Sequence, residues 1–354
     1  MLYQTENQHG GDVYGGGITL DFSANTNPLG TPPGVLEAVC RALPRLHRYP
    51  DPYCRRLVQA IAGHEQVPAS YILCGNGAAD LIYTYCAALR PRTAVELAPT
   101  FVEYGAGLAQ VGCRVERYFL HQAQNFDLDE RFLSFLEEKK PEVVFLCNPN
   151  NPTGRLIPLP LLEQILQYCA AQEARLFLDE CFLDLTEDGV SAKSLLAAHP
   201  ELLILKAFTK SYGMAGIRLG YCLCADNALL HRMAAASPPW NVSSPAQSAG
   251  VAALAERDFL QRTLSLVRTE RRWLTDNLTA LGFWVCPSHA NYLLFRGPLG
   301  LREGLLQQGI AIRGCGNYNG LGDGWYRIAV RPHGENEALI TAIRQFCKEK
   351  SLWQ

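Results

Sequence analysis

The sequence predicts an α/β protein with a mostly parallel central sheet and helices on both faces of that sheet. Three observations support this fold class. Short runs that are almost wholly apolar alternate with longer amphipathic runs, as strands and helices do in βα units. The chain has 354 residues, of which 48% are hydrophobic, which is enough for a large core and more than one domain. Neither an internal repeat nor a low-complexity linker interrupts the pattern.

Most of the predicted sheet comes from the middle of the chain. Apolar or β-branched runs predict six strands, at Ala94–Ala98, Arg114–Leu120, Glu142–Cys147, Arg175–Asp179, Leu202–Ala207 and Arg218–Cys224. Amphipathic runs predict the helices between them, at Ala79–Leu89, Glu103–Gln110, Leu128–Glu138 and Leu161–Ala171. Because strands and helices alternate, we expect neighbouring strands to run parallel.

The end of the chain has a different pattern. A long helical stretch from Ser244 to Leu281 precedes short strand candidates and a closing helix, at Phe283–Cys286, Asn291–Phe295, Ile310–Arg313, Trp325–Ala329 and Glu335–Lys348. At the start of the chain, the Gly- and Pro-rich segment Gly10–Arg45 has no sheet partner nearby and is expected to run as an arm. We therefore predict an arm of residues 1–45 that joins the small domain, a large domain of residues 46–250, and a small α+β domain of residues 251–354.

Composition argues against several classes of function. The 32 Lys and Arg residues and 34 Asp and Glu residues give a net charge of −2, which leaves no basic excess for nucleic acid. No apolar run approaches the ~20 residues that span a bilayer, and the start lacks a signal segment. The 13 cysteines lack metal-type spacing and suit reduced thiols. We expect a cytoplasmic protein with no metal, no nucleic acid and no membrane partner.

Two polar segments are candidates for ligand binding, one after the apolar run Tyr71–Leu73 and one after the predicted strand Glu142–Cys147, since ligands of open α/β sheets bind at the carboxyl ends of strands. Gly75–Asp80 combines a glycine turn with a helix N-terminus, which suits a phosphate, although a plain turn is the simpler interpretation of this segment alone. Asn148–Gly154 follows a buried strand and exposes amide side chains on a turn made rigid by proline.

Asp179 and Lys210 are the candidate charged groups. Asp179 ends a buried strand, where a carboxylate needs a cationic or protonated partner, unless it only caps a helix. Lys210 follows an apolar run, and desolvation there would lower its pKa and make the amine a nucleophile for Schiff-base chemistry. Lys206 competes for this role, and a lysine that simply reaches solvent is the alternative for both.

The order and spacing of these segments resemble the fold-type I pyridoxal-phosphate enzymes of the aspartate aminotransferase superfamily, and within it the histidinol-phosphate aminotransferase branch. The resemblance covers nearly the whole chain and implies pyridoxal 5'-phosphate as the cofactor. It implies that Lys210 binds the cofactor covalently, that Asp179 faces the pyridine nitrogen and that Asn151 binds the phenolic oxygen. Tyr104 matches the aromatic residue that stacks on the cofactor ring. The residues implied to hold the cofactor phosphate are Gly77, Ala78, Ala79, Thr209 and Arg218.

The resemblance also implies a homodimer with shared active sites and a small phosphorylated amino-acid substrate. Tyr49 matches a tyrosine that reaches the cofactor phosphate of the neighbouring subunit. Arg313 and Arg327 match two arginines that hold the anions of the substrate in this branch, and guanidinium groups suit both carboxylate and phosphate. Which arginine holds which anion stays open from the sequence.

Two reactions compete. The aminotransferase branch usually has a tyrosine in place of Phe182 and Ser-Asp-Glu in place of Ala78-Ala79-Asp80. The start His9-Gly10-Gly11, Asn25, Phe182 and the stretch Arg313–Leu321 instead resemble the decarboxylases that act on threonine phosphate. A disordered terminal histidine is the alternative for His9. The implied substrate-binding residues are His9, Asn25, Asn151, Arg313 and Arg327.

We therefore expect a lyase that decarboxylates O-phospho-L-threonine to (R)-1-amino-2-propanol phosphate, a step of cobalamin biosynthesis. Transamination of histidinol phosphate is the alternative, because a sequence cannot show which bond of the substrate is aligned for cleavage. A binding protein that keeps the fold without catalysis is a remote alternative. Against it stands the presence of all four residues that the cofactor would need, Asn151, Asp179, Lys210 and Arg218.

Overall fold

The computed structural model describes residues 9–350. Its strands, in chain order, are β1 (Leu20–Asp21), β2 (Ile72–Gly75), β3 (Thr93–Ala98), β4 (Arg114–Phe119), β5 (Val143–Cys147), β6 (Arg175–Asp179), β7 (Leu202–Ala207), β8 (Gly220–Cys224), β9 (Trp284–Val285), β10 (Tyr292–Arg296), β11 (Ile310–Ala311), β12 (Arg313–Gly314) and β13 (Trp325–Ala329). Its α-helices are α1 (Pro33–Ala42), α2 (Arg55–Glu65), α3 (Ala78–Leu89), α4 (Glu103–Gln110), α5 (Arg131–Lys139), α6 (Leu159–Ala171), α7 (Phe208–Ser211), α8 (Asn227–Ala236), α9 (Ser244–Leu254), α10 (Phe259–Ala280), α11 (Leu301–Gln307) and α12 (His333–Glu349).

A seven-stranded sheet with the order β2-β8-β7-β6-β5-β3-β4 forms the centre of the structure. The strands run parallel except β8, which is antiparallel to both of its neighbours. Alternate residues of β7 enter different apolar clusters, Leu202 and Ile204 on one face and Leu203 and Leu205 on the other. Both faces are therefore covered, which explains why the strands are apolar almost throughout. The predicted fold class is confirmed.

A second, antiparallel sheet has the order β12-β13-β10-β9. Helices α10, α11 and α12 pack with it around an apolar cluster that includes Leu274, Leu293, Leu305 and Ile343. Phe22 from the arm is fully buried in the same cluster, and β1 pairs parallel with β11. The arm is thus attached to the second sheet, while the domain boundaries at residues 45 and 250 stay a prediction.

Three predicted elements are wrong in detail. The arm contains helix α1, which begins at Pro33 and buries Val35, Ala38 and Ala42 at helical spacing, so its proline marks a helix start. The stretch Ser244–Leu281 is two helices, because the chain turns across residues 255–258 and lets α9 pack beside α1 while α10 packs beside β9. The predicted strand Ile310–Arg313 is divided, since β11 pairs with β1 whereas β12 pairs with β13.

Among residues 9–350, no helix is both long enough and apolar enough to cross a membrane.

Two helical glycines allow a matched test of packing between α11 and α12. A Cβ at Gly304 would lie 2.3 Å from Cδ2 of the buried Phe346 ring, whereas a Cβ at the exposed Gly63 in α2 would meet nothing. We expect Gly304→Ala to lower the free energy of unfolding by about 1–3 kcal/mol through overpacking. Gly63→Ala is expected to raise it by about 0.5–1 kcal/mol through the lost flexibility of glycine. Urea denaturation measures both, and equal effects of the two substitutions would contradict this packing.

Candidate active site

A cavity of about 240 Å³ opens beyond the carboxyl ends of β5, β6 and β7. Its wall combines residues of the central sheet, the arm and the second sheet, so segments that are distant in the sequence meet there. Most of the predicted site residues line it, namely His9, Asn25, Ala78, Ala79, Asn151, Asp179, Thr209, Lys210, Arg218, Arg313 and Arg327.

Asp179 lies at the end of β6 with a side chain that is 5% exposed. Its Oδ1 accepts a hydrogen bond of 2.9 Å from the backbone N–H of Cys181, and its Oδ2 accepts one of 2.7 Å from the hydroxyl of Tyr104. Burial raises the pKa of Asp179, and these donors and the charge of Lys210 oppose that shift. The carboxylate therefore faces the cavity with its orientation fixed by two donors.

Lys210 and Lys206 have opposite environments. Lys210 lies in α7, lines the cavity, and has its Nζ 5.5 Å from the centre of the Phe182 ring. Burial, helped by the charge of Arg327, lowers its pKa to about 8. Lys206 is buried behind it with Nζ 2.9 Å from Asp184 and 3.1 Å from Glu65, carboxylates that raise its pKa. Lys210 is thus the cavity amine, and Lys206 belongs to a buried ion-pair network.

The start of α3 and the side chain of Arg218 form a cradle suited to a phosphate. Gly77 has a φ of +89°, and a Cβ there would lie 2.6 Å from Nη2 of Arg218, so only glycine permits this approach. Ala78 and Ala79 then present the first N–H groups of the helix to the cavity. The Asp80 side chain has a different role, because its Oδ2 accepts a hydrogen bond from the backbone N–H of Asn76.

The asparagines of the loop after β5 have two kinds of role: some hold the loop in place through hydrogen bonds, and one lines the cavity. The Asn148 Oδ1 accepts from the Ile157 N–H at 2.9 Å, and Asn150 bonds to Thr100, Pro99 and Thr153. Only Asn151 of these three asparagines lines the cavity.

Arg327 and Arg313 are the two buried guanidinium groups of the wall, 6% and 9% exposed. Arg327 donates from Nη1 to Asn151 Oδ1 at 2.5 Å and from Nη2 to the Ser23 carbonyl at 2.9 Å. With its amide oxygen turned toward Arg327, Asn25 accepts from Nε at 3.1 Å. Arg313 donates to Asn317 at 2.7 Å and lies 5.5 Å from the centre of the Tyr318 ring. Arg327 is therefore held rigidly between the arm and the central sheet.

His9 lies at the cavity wall and is fixed by α4. Its Nε2 is 2.8 Å from Oε1 of Glu103, whose Oε2 accepts from the Tyr83 hydroxyl at 2.7 Å. Gly10 packs so closely on the arm that a Cβ would lie 2.2 Å from the Ser23 carbonyl oxygen. His9 thus lines the same cavity as Arg313 and Arg327.

Three predicted residues are not part of the cavity wall, namely Tyr49, Tyr104 and Gly77, the last of which directly precedes the lining residue Ala78. Tyr104 was predicted to stack on the cofactor ring, and this is wrong: it is fully buried in the first turn of α4, behind Asp179. Phe101, three residues earlier and before the helix, lines the cavity instead. Tyr49 is 78% exposed, does not line the cavity, and stacks on Trp240 with ring centres 4.5 Å apart.

Sequence reasoning also missed two residues of the wall as site residues. Phe101 stands in the same Pro-Thr-Phe segment that suggested Tyr104, so the aromatic signal was present but assigned to the wrong ring. Tyr318, which lies within hydrogen-bonding range of Arg327 at 3.5 Å, stands in the stretch that follows Arg313. Both residues lie in sequence segments that indicated a site, but only the fold shows that their side chains reach the cavity.

The chain belongs to the aminotransferase class I and II family, whose profile matches residues 18–346. It is 41% identical over 331 residues to the threonine-phosphate decarboxylase of Salmonella typhimurium, covering 92% of this chain and 90% of that protein. It is 33% identical over 350 residues to a histidinol-phosphate aminotransferase of Geobacillus sp., covering 96% and 93%. The solved histidinol-phosphate aminotransferase of Clostridium acetobutylicum has a similar fold, with a TM-score of 0.87 and 28% identity over 93% of this chain and 99% of that chain. The predicted family is confirmed.

The two lysines are expected to differ in their reaction with an amine reagent. Because the pKa of Lys210 is lowered to about 8, acetic anhydride should acetylate it with a midpoint near pH 8. Lys206 should stay unmodified in the folded protein, since carboxylates hold it charged and buried. Peptide mass spectrometry after brief labelling of the cofactor-free protein measures both rates. Faster acetylation of Lys206 than of Lys210 would contradict the assignment of the cavity amine.

Proposed function

We propose that this protein is a pyridoxal-phosphate-dependent lyase that decarboxylates O-phospho-L-threonine, giving carbon dioxide and 1-amino-2-propanol phosphate, as in cobalamin biosynthesis. The observation that carries the proposal is one cavity that holds a lysine amine, a buried aspartate and two buried arginines. A phosphorylated amino acid has two anions, a carboxylate and a phosphate, and the two guanidinium groups suit this pair. The greater identity with the decarboxylase than with the aminotransferase supports the choice of reaction.

The residues present fit pyridoxal phosphate. The cradle of Gly77, Ala78 and Arg218 suits the cofactor phosphate, since the absence of a side chain at Gly77 lets the Arg218 guanidinium lie against the start of α3. The Asp179 carboxylate suits a protonated pyridine nitrogen, which supplies the cationic partner that a buried carboxylate needs. Asn151 would bind the phenolic oxygen, and Thr209 the phosphate, since both line the cavity. Phe101 takes the place of Tyr104 as the aromatic residue against the ring.

Pyridoxal phosphate, when bound, withdraws electrons from the bond that breaks at the α carbon of the substrate. Lys210 would hold the cofactor through its Nζ, and its lowered pKa keeps a fraction of the free amine neutral near pH 7. After carbon dioxide leaves, the same nitrogen delivers the proton that replaces the carboxylate on the α carbon. Phe182, 5.5 Å from this nitrogen, offers no hydroxyl that would compete for its proton.

The arginines would fix the substrate through its two ends. Arg327 is held by Asn151, Ser23 and Asn25, so the substrate carboxylate must come to it in one orientation. Arg313, on β12, would bind the phosphate together with His9, which Glu103 holds at the wall. A substrate gripped at both ends has little freedom to rotate, and the bond that breaks is selected by that grip.

We further propose that the chain forms a homodimer whose active sites are shared. Tyr49 is exposed and lies beside an apolar surface that includes Leu43, Leu46 and Trp240, all of them more than 45% exposed. Such a surface is typical of an interface rather than of a monomer exterior. In the dimer, the Tyr49 hydroxyl would reach the cofactor phosphate of the other subunit.

Substrate assays distinguish the two reactions. We expect O-phospho-L-threonine to release carbon dioxide, and free threonine to have a kcat/KM at least about a hundredfold lower, because it lacks one anion that the arginines attract. Arg313→Gln should raise KM for phosphothreonine, while Arg302→Gln, a nearby arginine outside this cavity wall, serves as the control. Amino transfer from histidinol phosphate to the bound cofactor, with no carbon dioxide from phosphothreonine, would contradict the proposed reaction.

Mixed dimers test the shared site. Tyr49→Phe should weaken cofactor affinity about tenfold, the effect of a lost hydrogen bond to a charged group, and Lys210→Ala should be inactive. If the sites are shared, a dimer of one subunit of each kind contains one intact site, so mixing should restore activity at limiting cofactor. Tyr53→Phe, an exposed tyrosine nearby, is the control for Tyr49→Phe. Activity that does not rise on mixing, or a fully active monomer, would contradict sharing.

A further inference from the structure

Tyr104 and Tyr85 form a natural pair for comparison inside the core. Both are fully buried, and both contact the rings of Phe145 and Phe177. Within residues 9–350, the Tyr85 hydroxyl has no hydrogen-bond partner. The Tyr104 hydroxyl donates to Oδ2 of Asp179 at 2.7 Å. The two side chains thus share an apolar environment, and only one of them is connected to the cavity.

We propose that Tyr104 is a positioning residue that holds Asp179 ionised and correctly oriented toward the pyridine nitrogen of the cofactor. The inference rests on the role given to Asp179 in the proposed function. Tyr104 contacts neither the cavity nor a substrate there, so it acts only through the carboxylate. It replaces the stacking role that the sequence suggested for the same residue.

The electrostatics of the site give this hydrogen bond its importance. A proton shared between Asp179 and the pyridine nitrogen moves to whichever group is made more basic by its surroundings. Burial makes the carboxylate more basic and would draw that proton onto it. The Tyr104 hydroxyl and the Cys181 N–H stabilise the charged carboxylate and leave the proton on the ring. Burial beside Asp179 also raises the pKa of Tyr104, so its hydroxyl stays a donor.

The geometry favours positioning as well as charge. Each carboxylate oxygen has one fixed donor, Cys181 on Oδ1 and Tyr104 on Oδ2. With both oxygens held, the plane of the carboxylate cannot rotate. Phe145 stacks on Tyr104 with ring centres 5.5 Å apart and an interplanar angle of 29°, which fixes the donor in turn. The core residue Phe145 therefore fixes the position of Tyr104, and Tyr104 fixes the position of Asp179.

The test compares Tyr104→Phe with Tyr85→Phe in the full-length holoenzyme. Each change removes one hydroxyl and no carbon atom from the same surroundings. We expect Tyr104→Phe to raise the cofactor dissociation constant about tenfold or more, as for other hydrogen bonds to charged groups. In protein loaded with cofactor labelled with ¹⁵N in the ring, the nitrogen resonance should move toward the unprotonated position. Tyr85→Phe should leave both quantities unchanged, because its hydroxyl has no partner.

A double-mutant cycle with Asp179→Asn gives a second measurement of the same contact. Asparagine carries no charge, so the effect of Tyr104→Phe on cofactor affinity should fall to about threefold or less in that background. Equal effects of Tyr104→Phe with and without Asp179 would overturn the inference. So would identical nitrogen resonances in the two tyrosine variants, and both results leave the proposed function in place. Unchanged affinity and resonance in Asp179→Asn alone would instead contradict the role of Asp179, and the inference with it.

Discussion

The structure depends on the burial of ionisable groups of both signs at the carboxyl edge of one sheet. Asp179, Lys210 and Arg327 share one cavity. Burial lowers the pKa of Lys210 and Arg327 adds to that shift, while Lys210 opposes the rise that burial causes in the pKa of Asp179. Buried charges are costly unless they are paired or hydrogen-bonded. The surrounding segments meet this requirement with amides, carbonyls and one tyrosine hydroxyl.

The hydrogen-bond partners that these buried charges need come from three segments that are distant in the sequence. Arg327 comes from the second sheet, its carbonyl partner Ser23 from the arm, and its amide partner Asn151 from the loop after β5. The arm is further tied down by Asn27, which donates 2.8 Å hydrogen bonds to the Ser211 carbonyl and to Thr263. The residue next to Lys210 is therefore held by the same segment that supports Arg327. The site is assembled by contacts that also join the arm to both sheets.

The ion pairs of Lys206 explain why the two lysines have different environments. Lys206 binds Asp184 and Glu65, and Ser211 donates to the second oxygen of Asp184 at 2.9 Å. The network thus holds the chain on both sides of Lys210, at Lys206 in β7 and at Ser211 in α7. Burial lowers the pKa of both lysines, which are four residues apart. At Lys206 the neighbouring carboxylates outweigh burial and raise the pKa, whereas at Lys210 the charge of Arg327 adds to the lowering.

The sequence by itself determined six of the seven strands of the central sheet, the family, and the residue types at the site, because buried strands are apolar and site residues follow them at fixed spacings. It did not determine the break between α9 and α10 or the division of Ile310–Arg313, since pairing partners lie far away in the chain. Nor did it determine which ring of the Phe101 and Tyr104 pair faces the cavity. That depends on where α4 begins, because a residue before the helix and one in its first turn point in different directions. Local pattern sets which residues form an element, and only tertiary packing decides what each side chain touches.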